Sequence, residues 1–116
     1  MLFAVEATRR WAADGITTNA LMPGGIRTNL QRHQAADPEF AEIARTYAWK
    51  TTEQGASTSV LLAASPLLDG VGGRYFEDNN EAEPHLPPSR DGVAAHALDP
   101  EAATLLWEVS LELLAR

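Results

Sequence analysis

Residues 16–28 read Ile16-Thr17-Thr18-Asn19-Ala20-Leu21-Met22-Pro23-Gly24-Gly25-Ile26-Arg27-Thr28, and this stretch decides the fold class. It is β-branched at Ile16, Thr17 and Thr18 and apolar from Ala20 to Met22, which predicts a short buried strand over 16–22. Pro23-Gly24-Gly25 stops that strand, because neither helix nor strand tolerates those residues well in its interior. In open parallel sheets, ligands sit just beyond the carboxyl ends of strands. Gly24 and Gly25 remove side chains where a ligand would touch backbone, Ile26 offers a backbone N–H, and the Thr28 hydroxyl suits an amide or a phosphate. The same residues also read as a tight strand-to-loop turn with no ligand. Spacing alone leaves both readings open.

Upstream, Phe3, Ala7 and Trp11 recur at helical spacing, and Leu2 and Val5 widen the stripe. A helix over 2–13 follows, ended at Asp14-Gly15 with Gly15 as a left-handed cap. Met1 supplies no capping side chain, so the helix begins in mid-turn, as expected of a boundary placed inside a longer fold. Downstream, residues 26–36 give no clear element. Asp37-Pro38-Glu39 opens a second helix with Phe40, Ile43, Ala44 and Tyr47 on its apolar face. Thr51 and Gln54 have capping-box spacing and start a third helix that runs to about Ala64, before Ser65-Pro66.

Gly72-Gly73-Arg74-Tyr75-Phe76 predicts a second strand, and residues 77–99 a long polar loop. Asp99-Pro100-Glu101 opens a last helix over 100–115, whose Leu105, Leu106, Trp107, Val109, Leu111, Leu113 and Leu114 make a broad apolar surface. A strand–helix–strand crossover implies a parallel pair in an α/β layer fold. Two strands make a poor sheet with open edges, so the fold reads as incomplete as a domain.

Bulk properties narrow the function. The chain has 116 residues and a formal net charge of −7, with 16 acids against 9 Lys and Arg, which argues against a nucleic-acid partner. It has no cysteine, so disulfides, thiolate catalysis and cysteine-ligated zinc are excluded. No apolar run approaches the roughly 18 residues that span a bilayer, and the first residues lack the basic start of a secretory signal. The expectation is a cytoplasmic protein. His33, His85 and His96 are far apart without helical ligand spacing, and Asp78-Asn79-Asn80-Glu81 lacks the alternation of a calcium loop. Trp11, Trp49 and Trp107 lie in helical patterns and read as core residues; Ser57 and Ser59 lie within the third helix, not on a nucleophile elbow.

Asn19-Ala-Leu-Met-Pro23-Gly24-Gly25-Ile26-Arg27-Thr28 resembles the N-x-x-x-P-G-x-[IV]-x-T element that follows the sixth strand of the short-chain dehydrogenases/reductases. The flanks are similar too. LFAVEATRRW and PGGIRTNLQRH resemble the retinol-dehydrogenase and protochlorophyllide-reductase branch, TTEQGASTSVLLAAS the next helix, GGRYFED the seventh strand and ALDPEAATLLWEVSLELL the closing helix. The resemblance implies an α/β fold: the C-terminal part of a Rossmann-like doubly wound parallel sheet, its last two strands with flanking helices, over residues 1–116. It implies that Pro23, Gly24 and Ile26 line the nicotinamide end of NAD or NADP. The Ile26 N–H would meet the carboxamide, and Thr28 the carboxamide or adjacent phosphate. Residues 25–50 would form the substrate flap, with Leu30 and the helix near Phe40 as walls. The implied reaction is hydride transfer between the nicotinamide cofactor and a small apolar alcohol or carbonyl substrate, in an enzyme compatible with a homo-oligomer.

The family's T-G-x-x-x-G-x-G phosphate turn and its catalytic Tyr-x-x-x-Lys are absent. The fourth neighbour of Tyr47 is Thr51, and that of Tyr75 is Asn79. By the resemblance, the Tyr–Lys pair belongs immediately upstream of Met1, so no catalytic residue is expected here and the chain alone should be inactive. The acidic residue that selects NAD over NADP is missing as well. The alternative is a non-enzymatic interaction module or split-gene remnant, pairing with another subunit through its open strand edges and the apolar face of 105–114.

Overall fold

The computed structural model describes residues 1–34, 36–89 and 91–116. Helix α1 (Leu2–Trp11) runs into a 3-10 turn, Ala12–Asp14, closed by Gly15 in the left-handed region at φ 76°. Strand β1 (Ala20–Met22) follows, then a 3-10 turn at Asn29–His33, α2 (Pro38–Thr46) and α3 (Thr52–Ala64). Strands β2 (Tyr75–Glu77) and β3 (Asn80–Glu81) lead through a 3-10 turn at Ala95–Leu98 to α4 (Pro100–Leu114). The caps are those the side chains dictate. Asp37 accepts from the Glu39 N–H, Asp99 from the Glu101 and Ala102 N–H groups, and Thr51 and Gln54 close a reciprocal capping box.

Strands β1 and β2 pair in parallel, with Leu21 opposite Phe76, as the crossover predicted. The first strand is shorter than the 16–22 span read from its β-branched residues. Before Ala20, the Thr18 N–H donates to Thr8 Oγ1 at 3.0 Å and the Thr8 hydroxyl donates back to the Thr18 carbonyl at 2.9 Å. The same carbonyl also accepts the Gly73 N–H at 2.8 Å, so the contact with the second strand continues upstream of the regular ladder. The second strand lies at 75–77 instead of 72–76, because Gly72 and Gly73 pack against Thr8 and Gly73 takes φ 71°.

The 77–99 span is not the featureless loop expected. Asp78 (φ 49°) and Asn79 (φ 64°) form a two-residue turn, and β3 folds back antiparallel on β2, giving the order β1-β2-β3. Two left-handed central residues match the twist of a tight hairpin, and Asp and Asn tolerate that conformation best after glycine. An isolated bridge between Pro84 and Val93 organises the rest of the segment.

Helices α1 and α4 pack through Ala4, Ala7 and Ala103, all buried, whose small side chains let the backbones approach closely. Phe3 stacks on Trp107 at 4.8 Å and Trp11 meets the same ring edge-on at 5.3 Å. None of the three tryptophans is fully buried, contrary to their reading as core: Trp11 is exposed at the end of α1, Trp49 lies half-buried in the segment between α2 and α3, and Trp107 is half-buried against Phe3 and Trp11.

The folded chain exposes 8509 Å², against about 6,200 Å² for a closed domain of this mass. Its radius of gyration is 17.0 Å, where about 13.4 Å is usual for this length. Leu105, Val109, Leu111 and Leu113 of α4 remain exposed. The architecture is mixed α/β and open, in keeping with part of a Rossmann-like sheet.

Candidate functional site

The site lies at the carboxyl end of β1. Beyond Met22 the chain turns at Pro23, and Gly24 adopts φ 85°, a conformation that side chains resist. A Cβ at Gly24 would sit 2.7 Å from the Lys50 ammonium nitrogen, and one at Gly25 would collide with the Tyr47 ring. At Gly24 the left-handed backbone itself favours glycine, while at both positions the close neighbours are the flexible ends of Lys50 and Tyr47.

Lys50 ties the parallel strands together at their carboxyl ends. Its ammonium donates to the Pro23 carbonyl at 3.2 Å and pairs with Asp78 in the β2–β3 turn. Its backbone N–H donates to the Gly25 carbonyl at 2.9 Å, forming an isolated parallel bridge between Ile26 and Lys50. The Ile26 side chain covers Gly55 of α3, and its carbonyl accepts from Gln31 Nε2 at 3.0 Å. Among the described residues, the Ile26 N–H donates to no protein acceptor.

Thr28 caps the following 3-10 turn. Its Oγ1 accepts the Leu30 N–H at 3.2 Å and donates to Gln31 Oε1 at 3.4 Å, while the Thr28 N–H donates to the same Gln31 oxygen at 2.9 Å. Pro23, Gly24 and Ile26 are half-buried and Thr28 is exposed. All four predicted positions thus follow one another along a single rim.

Lys50, Tyr47 and Gln31 were not legible as site residues. Gln31 stands at capping-box spacing from Thr28, a local signal that was not read there, whereas Lys50 and Tyr47 reach this turn from the segment at the end of α2 with no mark in their local spacing. The flap expected over 25–50 contains the capped turn and α2, with Trp49 donating from its indole nitrogen to the Ala44 carbonyl at 2.9 Å. Tyr75 lies on β2, where burial and then the Glu77 carboxylate push its phenol above the ordinary value of 10. That is the wrong direction for a tyrosine that must ionise. Among the described residues there is no metal-binding cluster, and no helix is long and apolar enough to cross a membrane.

The fold is mixed α/β, with a three-stranded mixed sheet whose parallel pair ends at the Pro23-Gly24 turn, consistent with part of a Rossmann-like sheet. The chain is 55% identical to a probable oxidoreductase of Streptomyces lividans, over 99% of this chain and 42% of that protein. It is 42% identical to a short-chain dehydrogenase/reductase of Penicillium roqueforti, over 94% of this chain and 34% of the relative. It is 39% identical to retinol dehydrogenase 14 of Mus musculus, over 95% and 31% respectively. The chain belongs to the short-chain dehydrogenase/reductase family, as a C-terminal part of its fold. It spans well under half the length of these curated relatives. No protein-family profile matches it. No solved structure matches it either.

Proposed function

We propose that this chain forms the nicotinamide end of the cofactor site in an NAD(P)-dependent oxidoreductase, which transfers hydride between the cofactor and an alcohol or carbonyl substrate. The observation that carries this reading is the Ile26 N–H. It is held at the carboxyl end of β1, beside the left-handed Gly24, with its own carbonyl tied to Gln31. A backbone donor in that position suits a carboxamide oxygen, and orienting the ring is the protein's main contribution in such an enzyme. Pro23 and Gly24 supply the bare wall, and Thr28 a polar group at its end. When bound, the cofactor supplies the hydride chemistry.

The chain holds neither a Tyr-x-x-x-Lys pair nor a Gly-rich phosphate turn, so we infer that it does not turn over substrate alone. The reading is equally compatible with NAD and NADP, with a cytoplasmic location, and with a homo-oligomer; no nucleic-acid partner is proposed. A second reading, an interaction module that pairs with another subunit, is favoured by the exposed α4 residues Leu105 (62%) and Leu113 (59%).

The test is a titration of the isotope-labelled chain with reduced nicotinamide mononucleotide, read by amide resonances. We expect shifts at Gly24, Ile26 and Thr28, weakened by Thr28→Val, and none along α4. Shifts confined to α4, or none at saturating ligand, would overturn the cofactor reading. A dimer that buries α4 without any response at Ile26 would favour the interaction module.

A further inference from the structure

The flap encloses a cleft of about 400 Å³ between the 29–33 turn and α2, lined by Arg27, Thr28, Arg32, Phe40, Ala44 and Arg45 among others. Its lining contains no carboxylate among the described residues, although the whole chain carries a net charge of −7. A third of the chain's nine basic residues therefore meet in one concavity. The cleft between β3 and the 83–92 segment has the opposite character, with Glu77, Asp78, Glu81, Glu83 and Asp91 in its wall. The positive charge of the flap cleft is thus a local feature set against the overall charge.

Guanidinium groups recognise carboxylates and phosphates through paired, planar N–H donors. The internal partners of these three arginines leave most of those donors unspent. Arg32 donates one N–H to the Asn29 carbonyl at 3.0 Å. The Arg27 guanidinium lies 5.9 Å from the centre of the Trp49 ring, which holds it by its face. Arg45 pairs with Glu42 at 3.3 Å, but both side chains are largely exposed, and such surface pairs are weak enough for a bound anion to displace. Phe40 and Ala44 add an apolar wall to the same cleft, and its volume suits a small molecule.

Thr28 belongs both to this cleft and to the nicotinamide rim. We propose that the cleft binds the substrate, and that the substrate is an alcohol or carbonyl compound carrying a carboxylate on an apolar body. The carboxylate meets Arg27, Arg32 and Arg45; the body lies along Phe40 and Ala44; the reacting carbon points past Thr28 toward the nicotinamide end. This deepens the hydride-transfer reading and rests on it. The expectation of a small apolar substrate is kept for the body and revised for one end.

The test uses octanoate, 1-octanol and inorganic phosphate as probes, each titrated into the purified 116-residue chain without cofactor. Octanoate is expected to bind at least tenfold more tightly than either of the others. Arg27→Met and Arg32→Met should each weaken octanoate binding about tenfold, the equivalent of about 1.4 kcal/mol, with unchanged circular dichroism because both side chains are exposed. Equal binding of 1-octanol would show an apolar cleft only. Equal or tighter binding of phosphate would make it a subsite for a cofactor phosphate instead. Absence of octanoate binding, or binding indifferent to both arginine variants, would also overturn the proposal. The nicotinamide titration reads a different atom, the Ile26 amide, so failure of either reading is told apart from failure of the other.

Discussion

The Thr104 hydroxyl donates to the Glu6 carboxylate at 3.2 Å, joining α4 to α1 across almost the whole chain. Glu6 is fully buried, and Arg9 and Arg10 complete its surroundings, with Arg9 Nε at 2.8 Å and Arg10 Nε at 2.7 Å. A buried carboxylate survives only with such partners. The Arg9 hydrogen bonds, aided by Arg10 and Thr104 and opposed by burial, hold its pKa at about 2, below the ordinary 4.5.

A pH dependence follows from that depressed value. The carboxylate's contribution to stability is complete above about pH 4.5 and is lost as the pH falls toward about 2, because the unfolded chain takes up the proton first. Thermal unfolding midpoints should therefore drop across that window. Glu6→Gln should lower the midpoint at neutral pH and flatten the acid limb. Identical slopes in the parent and variant would assign the acid transition to other groups.

The contact between Ile26 and Gly55 gives a second expectation. A Cβ at Gly55 would lie 2.6 Å from Ile26 Cδ1. Alanine gains up to about 1 kcal/mol of helix propensity over glycine, but overpacking costs about 1–3 kcal/mol. Gly55→Ala should destabilise by about 1 kcal/mol net in urea denaturation. It should also displace Ile26 and weaken the response to reduced nicotinamide mononucleotide. Combined with Ile26→Ala, its cost should fall well below the sum of the two single changes; strict additivity would mean that the pair do not touch.

The β2–β3 turn offers a third. Asn79 sits at φ 64°, and its backbone N–H donates to the buried Thr58 hydroxyl at 3.1 Å. Asn79→Ala should cost about 1 kcal/mol, since an ordinary L-residue resists the left-handed region by about 1–2 kcal/mol. Asn79→Gly keeps the N–H and should be neutral or stabilising. Equal losses in both variants would assign the effect to the Asn side chain.

The helices were legible because their signals are local. Asp37-Pro38, Thr51 with Gln54, and Asp99-Pro100 satisfy the first N–H groups of α2, α3 and α4 from within a few residues. Gly15 ends the first helical segment for an equally local reason. The strands were harder. Thr8 exchanges hydrogen bonds with Thr18 from a different element, ten positions away, with no mark in the strand itself. The Asp78-Asn79 turn was present in the sequence, yet without the hairpin it closes it read as polar loop.

Taken by itself, the sequence determined the helix starts, the break after Met22 and the parallel pairing. These depend on backbone chemistry that nearest neighbours control. Tertiary structure alone decided that Lys50 bridges Pro23 and Asp78, and that Thr104 completes the cage around Glu6. It also decided that Arg27 before the 29–33 turn, Arg32 within it and Arg45 of α2 line one cleft. Such long-range meetings are set by how helices pack across the sheet, and no short spacing along the chain encodes them.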